Sequence, residues 1–230
     1  MDLTAILFLI GFIVVFGWFL YTFTQSSRKE KETKQLLTQS LGFSSFEADR
    51  SLAGKISSLY QRPGSKNNYQ LRHVSRRLIP DGTMFLFDLV DRSGNDDSWV
   101  ERQAVAIISP SLKLPPFALF PKSNPKYALS GLANQVVEWG MSKIGEPVAC
   151  PQSPALGERY VVTSQDPEGL RVFMDDSLAR FFGQTEMYTI HAAGDMFTFA
   201  EIDPNFKTAD IQSMTRRVNR AIEIFHALQK

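Results

Sequence analysis

Residues 83–91 read Thr83-Met84-Phe85-Leu86-Phe87-Asp88-Leu89-Val90-Asp91, and the class of the fold turns on them. Phe85, Phe87 and Leu89 fall on one side of an extended chain, and Met84, Leu86 and Val90 on the other. Side chains that alternate with period two mark a strand. Turn chemistry frames it: Pro80-Asp81-Gly82 in front, and the polar run Arg92-Ser93-Gly94-Asn95-Asp96-Asp97 behind. Tyr69 to Ile79 is β-like as well, and Ser98 to Ser109 resumes a strand that ends in Val105-Ala106-Ile107-Ile108. The spacing predicts a three-stranded antiparallel meander.

C-terminal to the meander, Leu114 to Pro121 is punctuated by proline, so any strand there is expected at an edge or very short. Residues 128–144 suit a helix through Leu132, Val136, Trp139 or Met141. Gly145 to Gly157 holds Pro147, Pro151 and Pro154 and reads as a loop, followed by a short strand at Tyr160 to Thr163. One helix is then expected from an Asp166 N-cap, with Pro167 at its first position and Gly183 just past its end. Its inner face holds Leu170, Phe173, Met174, Leu178, Phe181 and Phe182, and Arg171, Asp175 and Asp176 lie opposite. Met187–Ala192 and Met196–Ile202 predict a second hairpin across Ala193-Gly194-Asp195. A last helix runs from about Thr208 to Leu228, with Ile211, Met214, Val218, Ala221, Ile222, Phe225 and Leu228 inward.

N-terminal to the meander, residues 31–41 suit a helix with Leu36, Leu37 and Leu41 as its apolar side and Gly42 as its stop. Ser44-Ser45-Phe46-Glu47 fits a capping box. Leu52, Ile56, Leu59 and Tyr60 behind it make one helical face. Strand groups separated by helices, without regular βαβ alternation, give an α+β class with packed helices.

The first residues differ from all of this. Leu3 to Ser27 is a run of 25 residues without a charge. About 20 apolar residues suffice to cross a bilayer. The start, Met-Asp-Leu-Thr, lacks the basic residues of a signal peptide, and no A-x-A cleavage pattern follows. Trp18 and Tyr21 sit towards one end, where amphipathic rings favour the headgroup level. Arg28, Lys29, Lys31 and Lys34 follow directly, against no basic side chain before the span. The positive-inside rule places the C-terminal part in the cytoplasm and the N-terminus outside. Residues 1–27 are thus expected as a transmembrane anchor, 28–43 as a basic juxtamembrane segment, and 44–230 as one cytosolic α+β domain.

The chain has 230 residues, 25 Lys+Arg, 24 Asp+Glu and a net charge of +1. Without the four basic and three acidic residues of 1–34, it holds 21 of each. A neutral domain offers no general field for nucleic acid. Hydrophobic content of 43% excludes global disorder, and one cysteine excludes a disulfide framework or a multi-cysteine metal site.

The search for reactive residues assigns no catalytic, cofactor-binding or metal-binding group. His73, His191 and His226 lack partners at metal-ligand spacing, and Cys150 lies in a proline-rich stretch without a CxxC partner. Asp96-Asp97 and Asp175-Asp176 are adjacent and point apart. Two basic stripes remain: Arg72, Arg76 and Arg77 on the first meander strand, and Arg216 and Arg220 on the last helix, with Arg217 between them. They suit contacts with an anionic surface, or solvated positions with local ion pairs.

Phe87-Asp88-Leu89, Gln103-Ala104-Val105-Ala106 and Leu114-Pro115-Pro116-Phe117-Ala118-Leu119-Phe120-Pro121, in that order, resemble a family of uncharacterised bacterial single-pass membrane proteins. Arg159-Tyr160-Val161-Val162, the helix after Asp166-Pro167, and Ala193-Gly194-Asp195 are similar too, so the likeness spans most of residues 68–228. The chain departs from the pattern at Leu89, where an aromatic is usual, and at Lys122, where an acid is. The resemblance implies a bacterial inner membrane and a cytosolic α+β domain, and carries over no activity and no site residue. The expectation is a membrane-anchored interaction or scaffold module, bound to the bilayer by its first helix and to a protein partner or its own copies by its domain. An enzyme with a site made of distant residues and a lipid-headgroup binder are the alternatives.

Overall fold

The expected meander forms from β2 (Tyr69–Ile79), β3 (Gly82–Asp91) and β4 (Ser98–Ile108), preceded by a two-residue β1 (Ser44–Ser45). The computed structural model describes residues 36, 38–60, 68–92, 98–122, 146–149, 154–184, 188–201 and 211–229. The strands that follow are β5 (Leu114–Pro121), β6 (Glu146–Pro147), β7 (Tyr160–Ser164), β8 (Tyr188–Gly194) and β9 (Met196–Glu201). All belong to one open antiparallel sheet in the order β1-β2-β3-β4-β9-β8-β5-β7-β6. The second hairpin, β8–β9, enters the middle of the sheet, pairing Val105 with Phe199 on one side and Ala118 with His191 on the other.

Alternation along β3 sends its side chains into two different cores. Phe85, Phe87 and Leu89 share a core with Leu52 and Ile56 of α1 (Arg50–Ser58) and with Leu59 and Tyr60 just past its end, all buried. Met84 and Leu86 belong to a larger core on the opposite face. That core is roofed by α2 (Pro154–Arg159), α3 (Pro167–Phe173), α4 (Asp176–Gln184) and α5 (Ile211–Leu228), with Leu156, Leu170, Phe182 and Phe225 buried against it. Apolar burial at roughly 25 cal/mol per Å² is what holds helices on a sheet in this way. Gly82 lets the start of β3 approach the end of β4 closely, because a Cβ there would stand 2.3 Å from the Ile108 carbonyl oxygen.

Several local expectations are corrected. β5 is an interior strand between β8 and β7, not an edge. Its prolines are tolerated because Pro115 and Pro116 fall at a register break between Leu114 and Phe117, and Pro121 at the end. Ser44 and Ser45 are strand residues, not a capping box; Asp49 caps α1 and accepts from the Leu52 N–H at 2.7 Å. The helix after Asp166 is two helices. The chain breaks at Met174, and the Asp175 side chain caps α4 by accepting from Leu178 N–H at 2.9 Å. Gly183 therefore lies inside α4 rather than beyond it. Residues 145–157 are not all loop, since they include β6 and the start of α2. The helix predicted at 128–144 and Cys150 lie outside the described residues.

Leu36 and residues 38–40 are helical, and Gly42 stops them at φ +78°. Phe43 N–H bonds the Thr38 carbonyl and Gly42 N–H the Gln39 carbonyl, each at 2.9 Å. This is the Schellman closure of a helix C-terminus. Phe43 then drops into the main core and Ser44 pairs with Arg76. Of the expected leucine stripe Leu41 packs against the main core, Leu36 is exposed with Thr38 buried instead, and Leu37 lies outside the described residues.

Candidate functional site

Asp88 interrupts the apolar middle of β3, whose other acid, Asp91, closes the strand, and it is buried. Alternation puts it on the α5 face of the sheet, between Phe87 and Leu89 on the α1 face. Its neighbours are both distorted. Arg72 pairs with Asp88 and Ser75 with Leu86, so His73 and Val74 together stand opposite Phe87. On the other side Phe87 pairs with Ala104 and Leu89 with Glu101, so residues 102 and 103 together stand opposite Asp88. Each arrangement is a β-bulge, two residues against one. His73 has φ 52° and Gln103 φ 49°, left-handed values that cost a non-glycine residue about 1–3 kcal/mol.

Both strained residues bond the same carboxylate. His73 Nδ1 lies 2.8 Å from Asp88 Oδ2, and Gln103 N–H donates to Asp88 Oδ1 at 2.7 Å. The chain of bonds continues inward, because the Arg217 guanidinium donates to Gln103 Oε1 at 2.7 Å. Arg217 is buried beneath α5 at 4% exposure, while the His73 side chain is 43% exposed. A polar line thus crosses from solvent to the C-terminal helix: His73, Asp88, Gln103, Arg217. A buried carboxylate needs such partners to offset its lost hydration. With Nδ1 on the carboxylate, Nε2 is the ring nitrogen that can meet a ligand. A base oriented by a buried acid is half of a nucleophilic or acid–base site.

Sequence reading missed this line, although it quoted Asp88 and Gln103 in separate motifs. The available signal is an acid with apolar neighbours on both sides, Phe87-Asp88-Leu89, and a cationic residue, Arg217, beside the inward Met214 and Val218.

His191 is also buried, in β8, at 1% exposure. Its ring lies 4.2 Å from the Tyr60 ring and 5.4 Å from Phe120, centroid to centroid. Neither ring nitrogen finds a hydrogen-bond partner among the described residues. Burial pushes its pKa down from 6.5 to about 3; the Leu59 backbone, short of hydrogen-bond geometry, offsets this only in part. The imidazole is therefore neutral near pH 7. His226 is exposed on α5, beside the Gln229 side-chain oxygen at 3.2 Å.

The strand arginines gather near the joint at Gly42. The Arg76 guanidinium lies over the Phe46 ring at 4.8 Å, and a Cβ on Gly42 would meet the Arg77 side chain at 3.8 Å. Arg72 stands opposite Asp88 further along β2. On the outer side of α5, Arg216 and Arg220 line a groove of about 500 Å³ together with Gln212, Thr215 and Asn219. Arg220 Nε donates to the Tyr188 hydroxyl at 3.1 Å, and Nη1 pairs with Glu223. Ile211, expected inward, is 40% exposed in the same groove.

Among the described residues no group of three or more His, Cys, Asp or Glu side chains could hold a metal ion, and no helix is long and apolar enough to cross a membrane. The apolar run 3–27 with Trp18 and Tyr21, and the collar of Arg28, Lys29, Lys31 and Lys34, lie outside the described residues. Comparison with known proteins finds no family model, no curated protein and no solved structure that matches the chain.

Proposed function

We propose that the chain is a single-pass protein of a bacterial inner membrane, with its N-terminus outside and its α+β domain in the cytoplasm. The domain serves as a non-catalytic interaction or scaffold module for another protein or for further copies of itself. The uncharged run of 25 residues and the four basic residues behind it support the anchor and its orientation. The observation that carries the reading is the joint at Gly42 and Phe43. The chain arriving from the N-terminal segment is stopped by a Schellman closure, plugged into the core by Phe43 and clamped to β2 through Ser44. Such a joint fixes where the chain enters the sheet, at its β1–β2 edge, which suits a domain presented from an N-terminal anchor. In-cell crosslinking with identification of the captured protein is the test. Recovery of one reproducible partner, lost when surface residues of the domain are changed, is expected. No captured partner, together with turnover of a small molecule by the purified protein, sinks the reading. A reporter fused after Lys230 that is active only in the exported compartment reverses the orientation.

A second reading, an enzyme whose site joins distant residues, is favoured by the His73–Asp88 pair. Loss of a measured turnover in a His73→Gln variant of unchanged stability would establish it.

A further inference from the structure

Four large apolar side chains are exposed among the described residues: Leu36, Leu78, Val172 and Ile211. Two of them flank the joint. Leu36 precedes Gly42 on the helical turn and is 67% exposed; Leu78, at 76%, follows Arg76 and Arg77 on β2. β2 stands next to the sheet edge, and β1 covers its outer side only at Ser75 and Arg76. Residues 69–79 contain no acid. Arginines alone on such a strand guard it against pairing with another sheet. Leu78, 76% exposed beside them, does not serve that purpose; basic and apolar side chains together suit the interface of an anionic leaflet.

Chain length brings this surface to a bilayer. Only residues 28–35 separate the uncharged run from Leu36. Eight residues reach at most about 29 Å when fully extended and about 12 Å as a helix. Four basic and two acidic residues lie within those eight, a net charge of +2, so the joint follows a basic collar in sequence.

We propose that the joint edge of the domain rests on the anionic surface of the membrane that holds the anchor, with Arg76 and Arg77, which leave opposite faces of β2, straddling that edge on lipid headgroups and Leu36 and Leu78 at the acyl boundary. This inference rests on the anchor reading above. It leaves the rest of the sheet, and the groove along α5, free to meet a partner. Val172 lies on α3, which packs by β5, five strands from β2 and so about 24 Å across the sheet.

The test uses the full chain reconstituted in vesicles, with Cys150→Ser and an environment-sensitive fluorophore on Leu78→Cys or, as control, Val172→Cys. In vesicles containing phosphatidylglycerol the probe at 78 is expected to shift to the blue and the probe at 172 to stay in water. The shift disappears in phosphatidylcholine vesicles, and Arg76→Glu with Arg77→Glu lowers the shifted fraction at least about tenfold. Retained circular dichroism shows that this variant is folded, and Leu36→Asp, at an exposed position, gives a second loss that needs no charge reversal. A probe at 78 that stays in water on both lipids overturns the proposal. So does a shift produced in phosphatidylcholine vesicles by a polyglutamate peptide but not by anionic lipid, which assigns the edge to an acidic protein segment. Alkaline extraction of the chain from the vesicles reports separately on the anchor: release there is failure of the anchor reading, not of the docking.

Discussion

Gln103 donates its backbone N–H to the Asp88 carboxylate at 2.7 Å, and reaches that position only by turning its own backbone to φ 49°. The acid thereby fixes a bulge in β4 while its second oxygen fixes another in β2 through His73. Asp88→Asn keeps the shape of the side chain but removes the charge and sets an amide donor against one of these two partners. Breaking a buried, hydrogen-bonded charge in this way is expected to cost about 3 kcal/mol. Denaturant unfolding of the solubilised chain measures it; a loss below about 1 kcal/mol would mean the carboxylate does not organise the bulges.

His73→Gly and His73→Ala both delete the imidazole and differ in how they tolerate a left-handed backbone. At φ 52° alanine retains the steric cost and glycine does not. The glycine variant should be the more stable by about 1 kcal/mol, the reverse of the usual order inside a strand. Equal stabilities would show that the bulge relaxes once the histidine is gone.

His191 titrates far below an unfolded histidine, from 6.5 down to about 3, because burial disfavours its charged form. The unfolded chain therefore binds a proton that the folded chain refuses. Above pH 6.5 both states hold the neutral ring and its titration contributes nothing, and stability is lost as pH falls from there towards 3, by on the order of 1.4 kcal/mol per pH unit. His191→Phe removes this component. The difference in unfolding free energy between wild type and variant should be flat above pH 7 and open steadily below pH 6.5; parallel pH curves would contradict the burial of the ring.

Two glycines should respond to alanine with opposite signs. Gly54 lies within α1 with nothing within 4 Å of a Cβ, so Gly54→Ala is expected to stabilise by about 0.5–1 kcal/mol. At Gly82 the new carbon would meet the Ile108 carbonyl oxygen at 2.3 Å, and β3 must shift away from β4. That variant should lose about 2 kcal/mol or more. Thermal melts of the pair are a direct check.

Periodicity made β3 and α1 readable, because Phe85, Phe87 and Leu89 and then Leu52, Ile56 and Tyr60 each point one way. It was blind where spacing survives a break. Leu170, Met174, Leu178 and Phe182 keep a four-residue step across the end of α3, so two helices look like one until the Asp175 cap is seen. Proline in β5 points to an edge only while the register break that accommodates it is unseen, and that break exists only in the paired sheet. The Asp88 line was unreadable for another reason. His73 and Gln103 each lie 15 positions from Asp88, and Arg217 lies 114 beyond Gln103. No local pattern links such residues; the bulges that join them exist only once β2, β3 and β4 are paired.

The position of β8 and β9 governs how the chain can be made. They separate β4 from β5, yet they are synthesised after every other strand of the sheet. Until residues 188–201 leave the ribosome, β4 and β5 each present a bare inner edge, of the kind that invites pairing with another chain. The two halves of the sheet, one begun at Ser44 and one at Leu114, must wait side by side for their keystone. A chain halted before Tyr188 has no single sheet to form, so translation that stalls there yields an aggregation-prone product rather than a smaller domain.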